Sequence, residues 1–226
     1  MAGFQKAEES DRRQGSGRNM LPDFYKRQWN WIHRKAHRLF LFSLGLFMVA
    51  ALVSHYYFAR HPALALKAFT RLSEILSQKI SPDAAGFDLF FQIFLNNLQA
   101  GTLFFLLGFI PFLFIPAAGI LVNGIQIGLV SSVTLIQGKP LAKVFLFGIL
   151  PHGLFEIPAL LFACTLGLYI SIQILKKVLD LDKEKIPFVR IMTKTAAVWA
   201  TVVLPLIVAG AMIEAFITPL LIKAFL

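Results

Sequence analysis

Apolar runs of about 20 residues, each enough for a helix to cross roughly 30 Å of hydrocarbon, recur along this 226-residue chain. The first covers roughly residues 39–58 and follows nearly 40 polar and basic residues. That leader is too long for a cleaved signal peptide, so the segment is expected to stay as a signal-anchor helix. Residues 59–87 are mixed: Leu64, Ala68, Leu72, Ile75, Leu76 and Ile80 recur at helical spacing among Arg60, Lys67, Arg71 and Glu74. This predicts an amphipathic helix on the extracytoplasmic side, ended near Ser81-Pro82-Asp83 and Gly86. Residues 88–136 suffice for two crossings. Their turn is expected at Pro111 and Pro116, where missing backbone donors make a non-helical connection tolerable.

Residues 143–175 form an apolar stretch of 33, too long for one straight crossing. Pro151 and Gly153 are expected to break it, leaving a half-helix or re-entrant piece before a crossing over about 151–175, with Pro158 a further interruption. A final span over residues 195–226 is expected to bend near Pro205 and Pro219. The pattern predicts an all-α, polytopic transmembrane helix bundle of five spans, or six if residues 143–150 cross separately.

Composition sharpens the class. Hydrophobic residues make up 57% of the chain and charged residues only 15%, which sets it apart from ordinary soluble domains. The formal charge of +10 could suggest nucleic acid, but nine Lys/Arg fall in residues 1–38 and six in residues 176–194. Both groups flank apolar spans, as cytoplasmic ends do, so the charge is assigned to the lipid bilayer surface and no nucleic-acid partner is expected. The amino terminus is then cytoplasmic. Residues 1–23 read as a mobile cytoplasmic tail and residues 24–38 as a basic, aromatic interfacial helix. Residues 39–226 form the transmembrane domain. The lone Cys164 permits no internal disulfide and reads as a small buried apolar group.

The candidate chemistry lies inside the apolar segments. His152 and Glu156 stand one helical turn apart on the same face, and Glu214 lies in the last span with Gly210 and Thr218 on its face. Charged groups at bilayer depth cost a few kcal/mol or more, about 2.5–3.5 on insertion scales, and are expected to face other helices and pair. Glu156 is expected to hold the imidazole by a hydrogen bond or to be offset by its protonation. Asn97 shares a face with Gly101, Phe105 and Gly108, and Asn123 with Gly119 and Ile127. Gly124 and Gly128 make a small-xxx-small pair. The polar intramembrane cluster is thus expected to comprise Asn97, Asn123, His152, Glu156 and Glu214, with Gly101, Gly124, Gly128 and Gly153 at helix contacts. Such groups can share a proton, hold a cation, or simply lock helices together. An H-x-x-x-E pair supplies only two metal ligands, with Glu214 a third only if the spans meet at the right depth. No metal, cofactor or catalytic residue is expected, since zinc, nucleotide and nucleophile-elbow motifs are absent.

Four segments together carry a family resemblance: Phe94-Leu95-Asn96-Asn97, then Asn123-Gly124-x3-Gly128, then Pro151-His152-Gly153-x2-Glu156-x-Pro158-Ala159, and finally Ile213-Glu214-Ala215-Phe216-Ile217-Thr218-Pro219. In this order they resemble the stage II sporulation protein M family of bacterial and archaeal integral membrane proteins, over about residues 38–226. The chain looks like the wider branch that retains the His-Gly-x-x-Glu signature rather than the sporulation member itself. The resemblance implies a multi-pass cell-membrane protein that acts as a scaffold for other membrane or cell-wall proteins. Three functions follow as expectations. The leading one is a non-enzymatic component or partner subunit of a membrane complex, with a homo-oligomer also open. A small transporter or channel subunit is the alternative, motivated by broken helices and buried polar groups. An intramembrane metalloenzyme comes third.

Overall fold

The structure is a computed structural model that describes residues 26, 30–32, 36–110, 115–181 and 186–226. The tail over residues 1–23, most of the interfacial segment 24–38, and Pro111 lie outside the described residues. Leu39–Leu226 forms one compact unit. Among the described residues there are only helices and connecting turns, with no strand. Their order is α1 (His37–Arg60), α2 (Pro62–Ser77), α3 (Gly86–Leu107), α4 (Ile115–Ile136), α5 (Leu141–Val178) and α6 (Phe188–Phe225). All except α2 are long and apolar enough to cross a membrane, giving five spans.

The central helix is α5, and α3 and α6 pack on it and on each other. Ile170, Leu166, Leu161 and Ala163 of α5 are almost fully buried, as are Ile207 and Ala211 of α6. By contrast α1 buries one stripe, Ser43, Phe47, Ala50 and Ser54, and leaves Leu41, Phe42, Val49, Leu52, Val53 and Tyr56 exposed. An apolar outer face of this kind suits contact with lipid chains. The amphipathic α2 starts at Pro62, whose missing donor costs nothing in a first turn, and rests its Ala65, Ala68, Phe69 and Leu72 on Leu129 and Val133 of α4. Leu64, Ile75 and Leu76, expected on the buried side, are exposed. The contact turns instead toward Ala65, whose small side chain allows α2 to approach α4 closely.

The sharpest departure from the sequence reading concerns proline. Residues 143–150 are not a separate half-helix, because α5 runs without a gap from Leu141 to Val178 and passes through Pro151 and Pro158. Neither proline breaks the helix. The turn just before Pro151, Val144–Ile149, is widened into π-helix, and so is Trp199–Val203 just before Pro205 in α6. A proline ring clashes with the carbonyl four residues earlier and offers it no N–H. Those carbonyls belong to Phe147 and Thr201, each inside a widened turn, where the i→i+5 spacing makes room. Pro158 sits within regular α-helix. At about 1.5 Å per residue, a 38-residue helix exceeds the hydrocarbon thickness. Its buried part lies in the middle, where α3, α4 and α6 pack on it. In α6 the regular pattern lapses at Ile217 and restarts at Thr218, next to Pro219.

Candidate intramembrane polar centre

Each member of the centre is placed by its helix. His152 and Glu156 project from one face of α5, directly after the widened turn. Glu214 projects from α6, three residues before the lapse at Ile217, and Asn97 from the middle of α3. Ligand-type atoms of His152, Glu156 and Glu214 all lie within 4.8 Å of one another. Asn97 Nδ2 donates to Glu156 Oε1 at 2.6 Å. His152 Nδ1 stands 3.4 Å from Thr218 Oγ1. The carboxyl groups of Glu156 and Glu214 face each other across the α5–α6 contact, with ligand-type oxygens no more than 4.8 Å apart. Gly210 makes the approach of α5 and α6 feasible: a Cβ there would collide with Cγ of Glu156.

The partners differ from those expected in one respect. Asn97, not the imidazole, bonds Glu156, and the imidazole turns to Thr218 across the helix pair. His152, Glu156, Glu214 and Asn97 therefore meet, whereas Asn123 stands apart from them. Its Nδ2 donates to the carbonyl of Gly119 in its own helix at 2.9 Å. It nevertheless lines, with Gln126, His152 and Glu156, a cavity of about 110 Å³ between α4 and α5. Glu214 and Thr218 line a second cavity of about 390 Å³, whose wall includes Ile80, Ile93 and Lys223. Gln126 was missed by the sequence reading. Its spacing of three from Asn123 in an apolar span was the available signal.

The glycines divide similarly. Added Cβ atoms at Gly124 and Gly128 would strike the backbone of α1, at the carbonyls of Phe47 and Ala51. Gly101 faces side chains, with Ile207 Cδ1 3.2 Å from such a Cβ. Gly153 does not serve as a helix-contact glycine, since a Cβ there would meet only Ile157 and Ile149 of its own helix at ordinary distances. Among the described residues no backbone of a neighbouring helix comes within 4 Å of that position. Gly108, on the face it shares with Asn97 and Gly101, brings its backbone against Gly167, and Ser171 Oγ donates to the Gly108 carbonyl at 2.8 Å. Pro116 opens α4, and its carbonyl accepts from Cys164 Sγ at 3.3 Å.

The profile of the family described as stage II sporulation protein M matches residues 39–219. The chain belongs to this family. The stage II sporulation protein M match runs from the first span to Pro219 and so takes in Asn97, His152, Glu156, Glu214 and Thr218. An uncharacterised protein of Methanocaldococcus jannaschii is 34% identical over 128 residues, covering 57% of this chain and 70% of that protein. An archaeal relative without an assigned role is consistent with the family's wider branch. No solved structure matches the chain. Family and helices together make this a multi-pass integral membrane protein.

Proposed function

We propose that the chain is a non-enzymatic component of a membrane complex, a scaffold or partner subunit residing in the cell membrane with its amino terminus in the cytoplasm. In this reading the buried centre fixes the geometry of α3, α5 and α6, and the lipid-facing helices meet other membrane or cell-wall proteins or a second copy of the chain. The observation that carries it is the mutual pairing at the centre: Asn97 with Glu156 and His152 with Thr218, beside a cavity of about 110 Å³. Such a space holds several waters rather than a solute. Gentle extraction of the tagged chain from its native membrane, followed by mass spectrometry, tests the reading. A stoichiometric partner whose recovery falls with Glu214→Leu supports it, and a chain recovered alone counts against it.

A transporter or channel subunit is the second reading. It is favoured by the two cavities that flank the centre, one lined by His152 and Glu156 and the other by Glu214 and Thr218. Solute or ion flux into proteoliposomes holding only this chain, lost on Glu156→Gln, would replace the scaffold reading.

A further inference from the structure

We propose that His152, Glu156 and Glu214 form a binding site for one divalent transition-metal ion of zinc type, against the expectation from the sequence that no metal is held. The inference rests on the same centre as the proposed function and deepens it by naming the centre's ligand.

The geometry carries the argument. Three ligand atoms from two helices lie within 4.8 Å of one another. Bound at about 2.0–2.2 Å, ligands of a tetrahedral zinc stand roughly 3.4 Å apart. The widest pair then closes by at most about 1.4 Å, within reach of side-chain torsions in two glutamates. Glu156 and His152 each keep one ligand atom outside their contacts with Asn97 and Thr218. Asn97 occupies Oε1 of Glu156 and leaves Oε2. Thr218 engages Nδ1 of His152 and leaves Nε2. A ligating histidine whose other nitrogen meets a hydroxyl, and a ligating carboxylate steadied by an amide, are the outer contacts that orient metal ligands.

Charge points the same way. Two carboxylates bring −2 into an apolar slab, and a divalent cation with a neutral imidazole cancels it, where a shared proton cancels only half. The donor set selects the ion. Imidazole nitrogen with carboxylate oxygens suits zinc, whereas magnesium prefers an all-oxygen octahedron rich in water. Finally, the cavity lined by Asn123, Gln126, His152 and Glu156 offers a fourth position to water.

The full chain, purified in detergent and stripped with chelator, is titrated with zinc and separately with magnesium by calorimetry. The expected result is one zinc per chain, no competition from magnesium, and at least about tenfold weaker binding in His152→Ala and Glu214→Gln. Thr218→Val, which touches only the outer contact, is expected to weaken zinc by about tenfold. Should either ligand variant fail to fold, the wild-type chain still answers: zinc, and not magnesium, raises its melting temperature. No saturable zinc binding, or binding unchanged in the folded variants, overturns the proposal. The scaffold reading fails separately, through absence of a co-purifying partner from a chain that does bind zinc.

Discussion

The contact between α1 and α4 and the contact among α3, α5 and α6 solve the same problem by different means. Helices in lipid gain little from hiding apolar surface, because the surrounding chains are as apolar as leucine. At the first contact, glycine removes side chains so that backbones touch: Gly124 and Gly128 lie against the main chain at Phe47 and Ala51, with Ser54 Oγ donating to the Ile125 carbonyl at 2.8 Å. At the second, where Gly108 and Gly167 also let backbones approach, polar side chains from three helices meet one another. The comparison teaches that close contact depends on shape that tolerates no addition, while the polar centre depends on complete pairing that tolerates no removal. Each should fail in its own way.

The largest effect is expected where shape is violated. Gly128→Leu drives a branched side chain into the Ala51 carbonyl and should destabilise by about 3 kcal/mol or more, read as loss of monodisperse protein on size exclusion. Were the variant as stable as wild type, the close contact would not be essential. Next comes removal of a partner from the centre. Asn97→Leu leaves Glu156 Oε1 without its donor and should cost about 1–3 kcal/mol in detergent unfolding, whereas Asn123→Leu should cost less because that amide bonds only within its own helix. Equal losses would dissolve the distinction between the two asparagines.

Pro151→Ala should alter stability by no more than about 1 kcal/mol, since the widened turn before it already removes the clash a proline would cause. A larger loss, measured by the same unfolding assay, would mean that the proline itself holds the turn open. The smallest effect is expected from Ser54→Ala, about 0.6 kcal/mol, the average for a hydrogen bond between membrane helices.

Much of this was legible in the sequence because the bilayer imposes length and polarity on every span. The five crossings, the shared face of His152 and Glu156, and the inward turn of Glu214 follow from helical spacing and the cost of charge in hydrocarbon. Partner choice was not legible. That Thr218 rather than Glu156 meets the imidazole depends on how α6 lies against α5, which no spacing within one helix encodes. Proline misled for a related reason. The rule that it breaks a helix assumes α-helical hydrogen bonding in the preceding turn, and the chain relaxes that turn instead. Gly153 reads as a contact residue from its small size, yet a neighbouring backbone must be present for size to matter.

The widened turn before Pro151 also fixes the rotational phase of everything around it. An i→i+5 turn accommodates one residue more than an α-turn, equivalent to roughly 100° about the helix axis. Deleting a single residue between Val144 and Ile149 would therefore leave the composition of α5 nearly unchanged while swinging Leu141–Lys143 about a third of a revolution relative to His152 and Glu156. The loop at residues 137–140 would be dragged with it. One-residue insertions and deletions at this point, harmless in most loops, should thus act on this protein as a change of azimuth.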